Sequence, residues 1–144
     1  MSFFNSLDIA ASGLTAQKMR IDVLTQNLVN AETTRTEGGG PYRRKMVVFQ
    51  ERPGETFGTY LNRANEQVAP GVKVAAIIED QRPLKAVYDP SHPDADEDGY
   101  VMLPNVDKIK EMSDMMSASN AYTANITALG AIKLMASKAL EIGR

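Results

Sequence analysis

Apolar residues recur along this chain with two different periods. Near the N-terminus Leu7, Leu14, Ile21 and Leu28 are spaced by seven, and three residues after each come Ala10, Gln17, Leu24 and Ala31. A seam of this kind predicts a coiled-coil helix from about Asn5 to Ala31, capped by Asn5 or Ser6, with Asp8 suiting its first turn. Gln17 interrupts the seam. Gly13 costs about 1 kcal/mol relative to Ala inside a helix, which makes sense where another backbone comes close. At the other end, Asn105 to Ile142 contains no Pro and a single Gly, Gly130. That leaves room for a helix of thirty-eight residues, roughly 57 Å long at about 1.5 Å per residue. Met115, Tyr122, Leu129 and Ala136 also recur at seven, with Met112, Ile126 and Leu140 beside them. Two long helices, each with a seam, predict a pair.

Between the helices the period changes to two. Met46 to Phe49 reads as a strand after the Gly38-Gly39-Gly40-Pro41 turn, which is expected to end the first helix. Val72, Val74, Ala76 and Ile78 alternate with Lys73, Ala75, Ile77 and Glu79, and Leu84, Ala86 and Tyr88 alternate after Pro83. Phe57 to Asn62 is a further candidate, and Pro53-Gly54 and Pro70-Gly71 supply turns. The predicted fold class is α+β: long N- and C-terminal helices pairing as a coiled coil, with a small, mostly antiparallel β module inserted between them. The predicted division is residues 1–33 for the first helix, 34–103 for the loop and β module, and 104–144 for the second helix.

Composition sharpens the reading of the last helix. Met115 to Ile132 carries no charged residue over eighteen positions, yet Ser117, Ser119, Asn120, Thr123, Asn125 and Thr127 make it too polar for a membrane span. A surface helix would carry Glu and Lys on its wet side. With five Tyr, four Phe and no Trp in 144 residues, the chain cannot build a large core to enclose that helix. Its uncharged face is therefore expected to be an assembly surface, with Leu7, Leu14, Ile21, Leu28, Met115, Tyr122, Ile126 and Leu129 as helix–helix and assembly contacts.

Candidate chemistry is sparse. The chain has no Cys, so disulfides and thiolates are excluded. A net charge of −2 gives no global pull toward nucleic acid, and the Arg43-Arg44-Lys45 triplet has no wider basic face around it. The triple glycine lacks the Gly-Lys-Ser/Thr of a phosphate loop. Asp94, Asp96, Asp98 and Gly99 match the opening of a calcium loop, but Asn105 stands where a bidentate Glu is required and Pro90 and Pro93 block an entering helix. An acidic turn before a short strand is the expected reading. His92 is the only histidine and lies between prolines, where a turn residue is expected. No catalytic, cofactor-binding or metal residue is expected, and neither nucleic acid nor a small-molecule substrate is an expected partner. The N-terminus lacks the basic and apolar regions of a Sec signal, so either the cytoplasm or export without a cleaved signal is expected.

The run Ala11-Ser12-Gly13-Leu14-Thr15-Ala16, Asp22, Asn27-Leu28-Val29-Asn30-Ala31 and Thr33-Thr34 resembles the N-terminal signature of the bacterial flagellar axial proteins, the group of rod, hook and hook-associated proteins. Gln26, Val29 and Glu32 depart from the commoner Asn, Ala and Asn. Residues 34–45, the stretch Asp89 to Val106, and Met115 to Asn125 with Ala136 to Arg144 resemble the proximal-rod members of that family. The resemblance implies a structural, non-enzymatic subunit of the basal-body rod, part of a helical shaft that crosses the periplasm and transmits torque. It implies no cofactor. It also implies homo-oligomeric contacts, the rod proteins FlgB, FlgF, FlgG and FliE as neighbours, and exit through the flagellar type III export apparatus. A cytoplasmic coiled-coil adaptor is the alternative expectation.

Overall fold

The computed structural model describes residues 3–52 and 71–142. The candidate strand at Phe57–Asn62 lies outside the described residues. In chain order the elements are α1 (Phe3–Val29), β1 (Lys45–Arg52), β2 (Gly71–Glu79), β3 (Lys85–Tyr88), β4 (Tyr100–Leu103) and α2 (Lys108–Ile142). The architecture is α+β, with two long helices packed together and a small antiparallel β module between them in sequence.

The helices run antiparallel. Lys108, at the start of α2, pairs with Glu32 just past the end of α1, while Phe3 and Phe4 line one open groove with Met135, Ala136, Ala139 and Leu140 near the far end of α2. α1 begins two residues before the expected cap and ends well before the triple glycine. Its last turn tightens, with the Ala31 N–H donating to the Leu28 carbonyl, and the Asn30 side chain turns back to the Gln26 carbonyl at 2.9 Å. These bonds satisfy the carbonyls that every helix leaves open at its C-terminus. The glycines act later. Gly39 and Gly40 adopt φ of +80° and +79°, closing a turn in which Thr36 N–H donates to the Gly40 carbonyl. α2 is capped by Asp107, whose Oδ1 accepts from the N–H groups of Ile109 and Lys110 at 3.1 and 3.3 Å.

β1 and β2 form one two-stranded ribbon, in register from Lys45 opposite Glu79 to Arg52 opposite Gly71, with an irregularity between Val48 and Phe49. β3 and β4 form a second, from Lys85 opposite Leu103 to Tyr88 opposite Tyr100. An isolated two-stranded hairpin is marginal in water, so the first ribbon leans on a helix. It packs on α1 and makes no backbone approach to α2. The anchor is Ser12, whose Oγ donates to the Ile9 carbonyl at 2.7 Å and accepts from the Val72 N–H at 3.2 Å. A Cβ on Gly71 would stand 2.5 Å from that oxygen, so the first residue of β2 has to be glycine for the ribbon to sit this close.

The interior is thin. Ala10, Ala16, Val23, Leu24 and Ala118 are buried where α1 meets α2 and the β1–β2 ribbon, and Ala31, Tyr42 and Val106 form a second cluster at the ends that carry the chain into and out of the β module. Among the described residues, no helix is long and apolar enough to cross a membrane.

Candidate functional site

Two surfaces stand out, one polar and buried, the other apolar and open. The polar one lies where α1 ends, β1 begins and α2 starts. Asn27, two residues before the end of α1, is fully buried. Its Nδ2 donates to the Lys45 carbonyl and to Glu111 Oε2, both at 2.8 Å, while its Oδ1 accepts from the Tyr42 hydroxyl at 3.0 Å and the Lys45 N–H at 2.8 Å. All four hydrogen-bonding positions of the amide are filled. Glu111, also fully buried, takes a second charge-assisted bond from Arg44 Nε at 2.6 Å.

Arg44 joins every part of this hub. Its guanidinium lies 3.6 Å from Asp80 and 3.9 Å from Asp114, beyond its bond to Glu111. Its backbone N–H donates to Asn105 Oδ1 at 2.9 Å, and its carbonyl accepts from the Asp80 N–H at 2.8 Å. Asn105 closes the ring by donating to the carbonyls of Asp80 and Arg82. The Arg82 guanidinium, hydrogen-bonded to Asp80, pulls that carboxyl down to about 2. Burial, reinforced by the negative charge of Glu111, pushes the Tyr42 phenol upward. Every member of the network has a partner, which makes it a device for holding geometry. It presents no free nucleophile or base.

The acidic loop between β3 and β4 has its own internal use. Asp96 Oδ1 accepts from the N–H groups of Asp98 and Tyr100, and Asp94 accepts from the Thr34 hydroxyl at 2.7 Å and pairs with Arg35. His92 Nδ1 accepts from the Asp94 N–H at 3.1 Å, within the turn. Among the described residues no group of three or more His, Cys, Asp or Glu is placed to hold a metal ion.

The apolar surface is α2 itself. Met112, Met116, Leu134, Met135 and Leu140 are 59 to 77% exposed, and Ile126 is 49% exposed. Of the other sequence-predicted contacts, Leu7, Leu14, Ile21 and Leu28 are half-buried along α1, and Met115, Tyr122 and Leu129 are half-buried on α2. The most buried positions are Ala10 and Leu24, in the second row of the predicted seam, and Ala118 on α2. Gly13 faces Asn125, whose side chain would lie 3.1 Å from an added Cβ, so the close approach there is made by a side chain crossing over the glycine. Gln17, the interruption in the seam, has a buried Oε1 without a hydrogen-bond partner.

Sequence reasoning missed the hub. Arg44 was visible only as the middle of a basic triplet, and Glu111 as one charge at the start of a long helix. The available signal was Asn27, a polar residue three positions after Leu24 on the face that the heptad buries. Its partners are up to 84 positions away in sequence, and periodicity does not find such pairs.

A long antiparallel helix pair with a small β module between the helices in sequence, and a charge-free run from Met115 to Ile132 on the second helix, is the build of an assembly subunit, and the comparisons place it among the axial proteins of the flagellum. Residues 97–142 match the family described as flagellar basal body rod FlgEFG protein C-terminal. Over the full length of both chains, the sequence is 48% identical to the flagellar basal-body rod protein FlgC of Bacillus subtilis and 45% identical to that of Salmonella typhimurium. It is 45% identical to the protein of the same name from Borreliella burgdorferi, covering 99% of this chain and 98% of that one. The chain belongs to the FlgC family of flagellar basal-body rod proteins. These comparisons give no support to a cytoplasmic adaptor.

Proposed function

We propose that this chain is a structural subunit of the proximal rod, assembling helically with copies of itself and with other rod proteins into part of the torque-transmitting shaft. In this reading the rod proteins FlgB, FlgF, FlgG and FliE are its neighbours, the rod crosses the periplasm, and the subunit leaves the cell interior through the flagellar type III export apparatus without a cleaved signal. It performs no catalysis. The helix pair is the assembling unit, and Leu7, Leu14, Ile21, Leu28, Met115, Tyr122, Ile126 and Leu129 are its contact residues.

One observation carries the proposal. α2 runs for eighteen positions, Met115 to Ile132, without a charge, while Met116 is 68% and Ile126 49% exposed in the single chain. An extended helical face of this kind gains by being covered, at roughly 25 cal/mol for each Å² of apolar area removed from water. The closed hub agrees with this, because a shaft needs rigid subunits rather than reactive ones. The test is Met116→Asp, a change at an exposed site. The purified subunit should keep its helix content and thermal midpoint, while cells carrying the variant should lose rod assembly and motility. Normal rods in motile cells would remove the outer face of α2 from the interface.

A further inference from the structure

Each of the two ribbons leaves an apolar face open. In the second, Ala86 stands opposite Met102 and Tyr88 opposite Tyr100, so these four side chains share one face. The two tyrosine rings meet edge to face, with centroids 5.3 Å apart. Tyr88 is 64% and Met102 48% exposed, whereas Val101, on the other face, is buried. In the first ribbon, Met46 stands opposite Ile78 and Val48 opposite Ala76. That face is open too, with Ile78 45% exposed. A two-stranded ribbon is marginal in water by itself and depends on what covers its faces.

The two faces do not cover each other within one chain. The backbones of the two ribbons do not approach each other, and the connection between them is fixed. The Asp80 N–H donates to the Arg44 carbonyl at 2.8 Å, Arg82 Nε turns back to Asp80 at 2.8 Å, and Asn105 donates to the carbonyls of both. Lys85, the first residue of β3, donates to the Val106 carbonyl at 2.6 Å. Charge decides which surface suits which. Along the first ribbon Arg43, Lys45, Arg52 and Lys73 outnumber Glu51 and Glu79, a net charge of +2. The second ribbon and its loop set Lys85 against Asp89, Asp94, Asp96, Glu97 and Asp98, a net charge of −4. Like ribbons repel, and unlike ribbons attract. We propose that the β3–β4 ribbon of one copy docks through Tyr88, Tyr100 and Met102 on the Val48 and Ile78 face of the β1–β2 ribbon of a second copy. The proposal rests on the reading of the chain as a rod subunit, and it adds a second contact to that of the helix pair. A contact between two different surfaces of one chain repeats from copy to copy and builds an open helical series or a ring.

The test uses the full chain in assembled rods. It has no native Cys, so one copy carries Ala76→Cys and another Ala86→Cys, both at exposed positions, and the two are expressed together. Isolated basal bodies are treated with a bis-maleimide reaching about 10 Å, the spacing of packed sheets. A covalent dimer is expected when both chains are present, and none when either is expressed alone. Rods that contain both chains and give no dimer overturn the proposal. Dimers from one chain alone overturn it too, because like surfaces would then be meeting. Absence of the chain from purified basal bodies is a different result: it removes the rod-subunit reading, and the docking with it. A second variant, Tyr88→Glu on the Ala86→Cys chain, separates docking from chance proximity. Tyr88 is largely exposed, so the purified variant should keep its helix content and thermal midpoint while the dimer is lost. A dimer that persists overturns the docking, and so does a lowered midpoint, since this face would then be closed within the single chain.

Discussion

Where α1 ends and α2 begins, Asn27, Arg44, Asn105 and Glu111, from distant parts of the chain, are buried and hydrogen-bonded within one network. Where α1 begins and α2 approaches its end, Phe3, Phe4, Met135, Ala136, Ala139 and Leu140 line an open apolar groove, with Phe4 71% and Leu140 77% exposed. The first end is complete within one chain. The second leaves its apolar groups to be covered by something else. The difference shows how a single helix pair can be both a defined subunit and an unfinished surface: the hub orients the helices, and their remaining length stays available. Small residues make this possible, since Ala10, Ala16 and Ala118 let the helices approach without using up the larger apolar side chains.

The comparison can be broken at the hub. Glu111→Ala removes the carboxylate that pairs with Arg44 and leaves a buried cation. The expected loss is about 3–5 kcal/mol, read from urea unfolding of the purified subunit. A loss below about 1 kcal/mol would mean that the hub is solvated and equivalent to an ordinary surface pair.

Acid should sharpen the contrast. Arg82, by hydrogen bonds to Asp80, and then the Arg44 charge, hold the Asp80 carboxyl at about 2, below its ordinary value of 3.8. A depressed folded-state value means that the stabilisation is present above the unfolded value and is lost as pH falls toward the folded one. The urea midpoint should therefore drop between about pH 4 and pH 2, and Asp80→Asn should flatten that part of the profile. An unchanged slope in the variant would move the acid response to other carboxylates.

The smallest effect belongs to the open end. Leu140→Ser should change the stability of the isolated subunit by no more than about 0.5 kcal/mol, because an exposed side chain has little burial to lose. A thermal midpoint lowered by many degrees would show that this end is already closed within the single chain.

Much of this architecture was written in local pattern. Heptads announced both helices, alternation located β1, β2 and β3, and the charge-free run from Met115 to Ile132 marked α2 as a helix lacking a solvent face. Those features are legible because each depends on residues within a few turns of one another. The α1 terminus was legible to within two residues, Ala31 expected against Val29, while the hydrogen bonds around Asn30 that set it lie ahead of the glycine turn. Of the two rows of the α1 seam, Ala10 and Leu24 are buried and Leu7, Leu14, Ile21 and Leu28 are half-buried, a division that depends on how closely the neighbouring elements approach. Small residues allow an approach that spacing alone does not reveal. The hub was decided by tertiary structure alone. Arg44 and Glu111 are 67 positions apart, and each has the appearance of an ordinary surface charge until folding removes water from both. Burial raises the cost of either charge alone, so the pairing carries weight only in the folded chain, where Asn27 and Asn105 supply the remaining bonds.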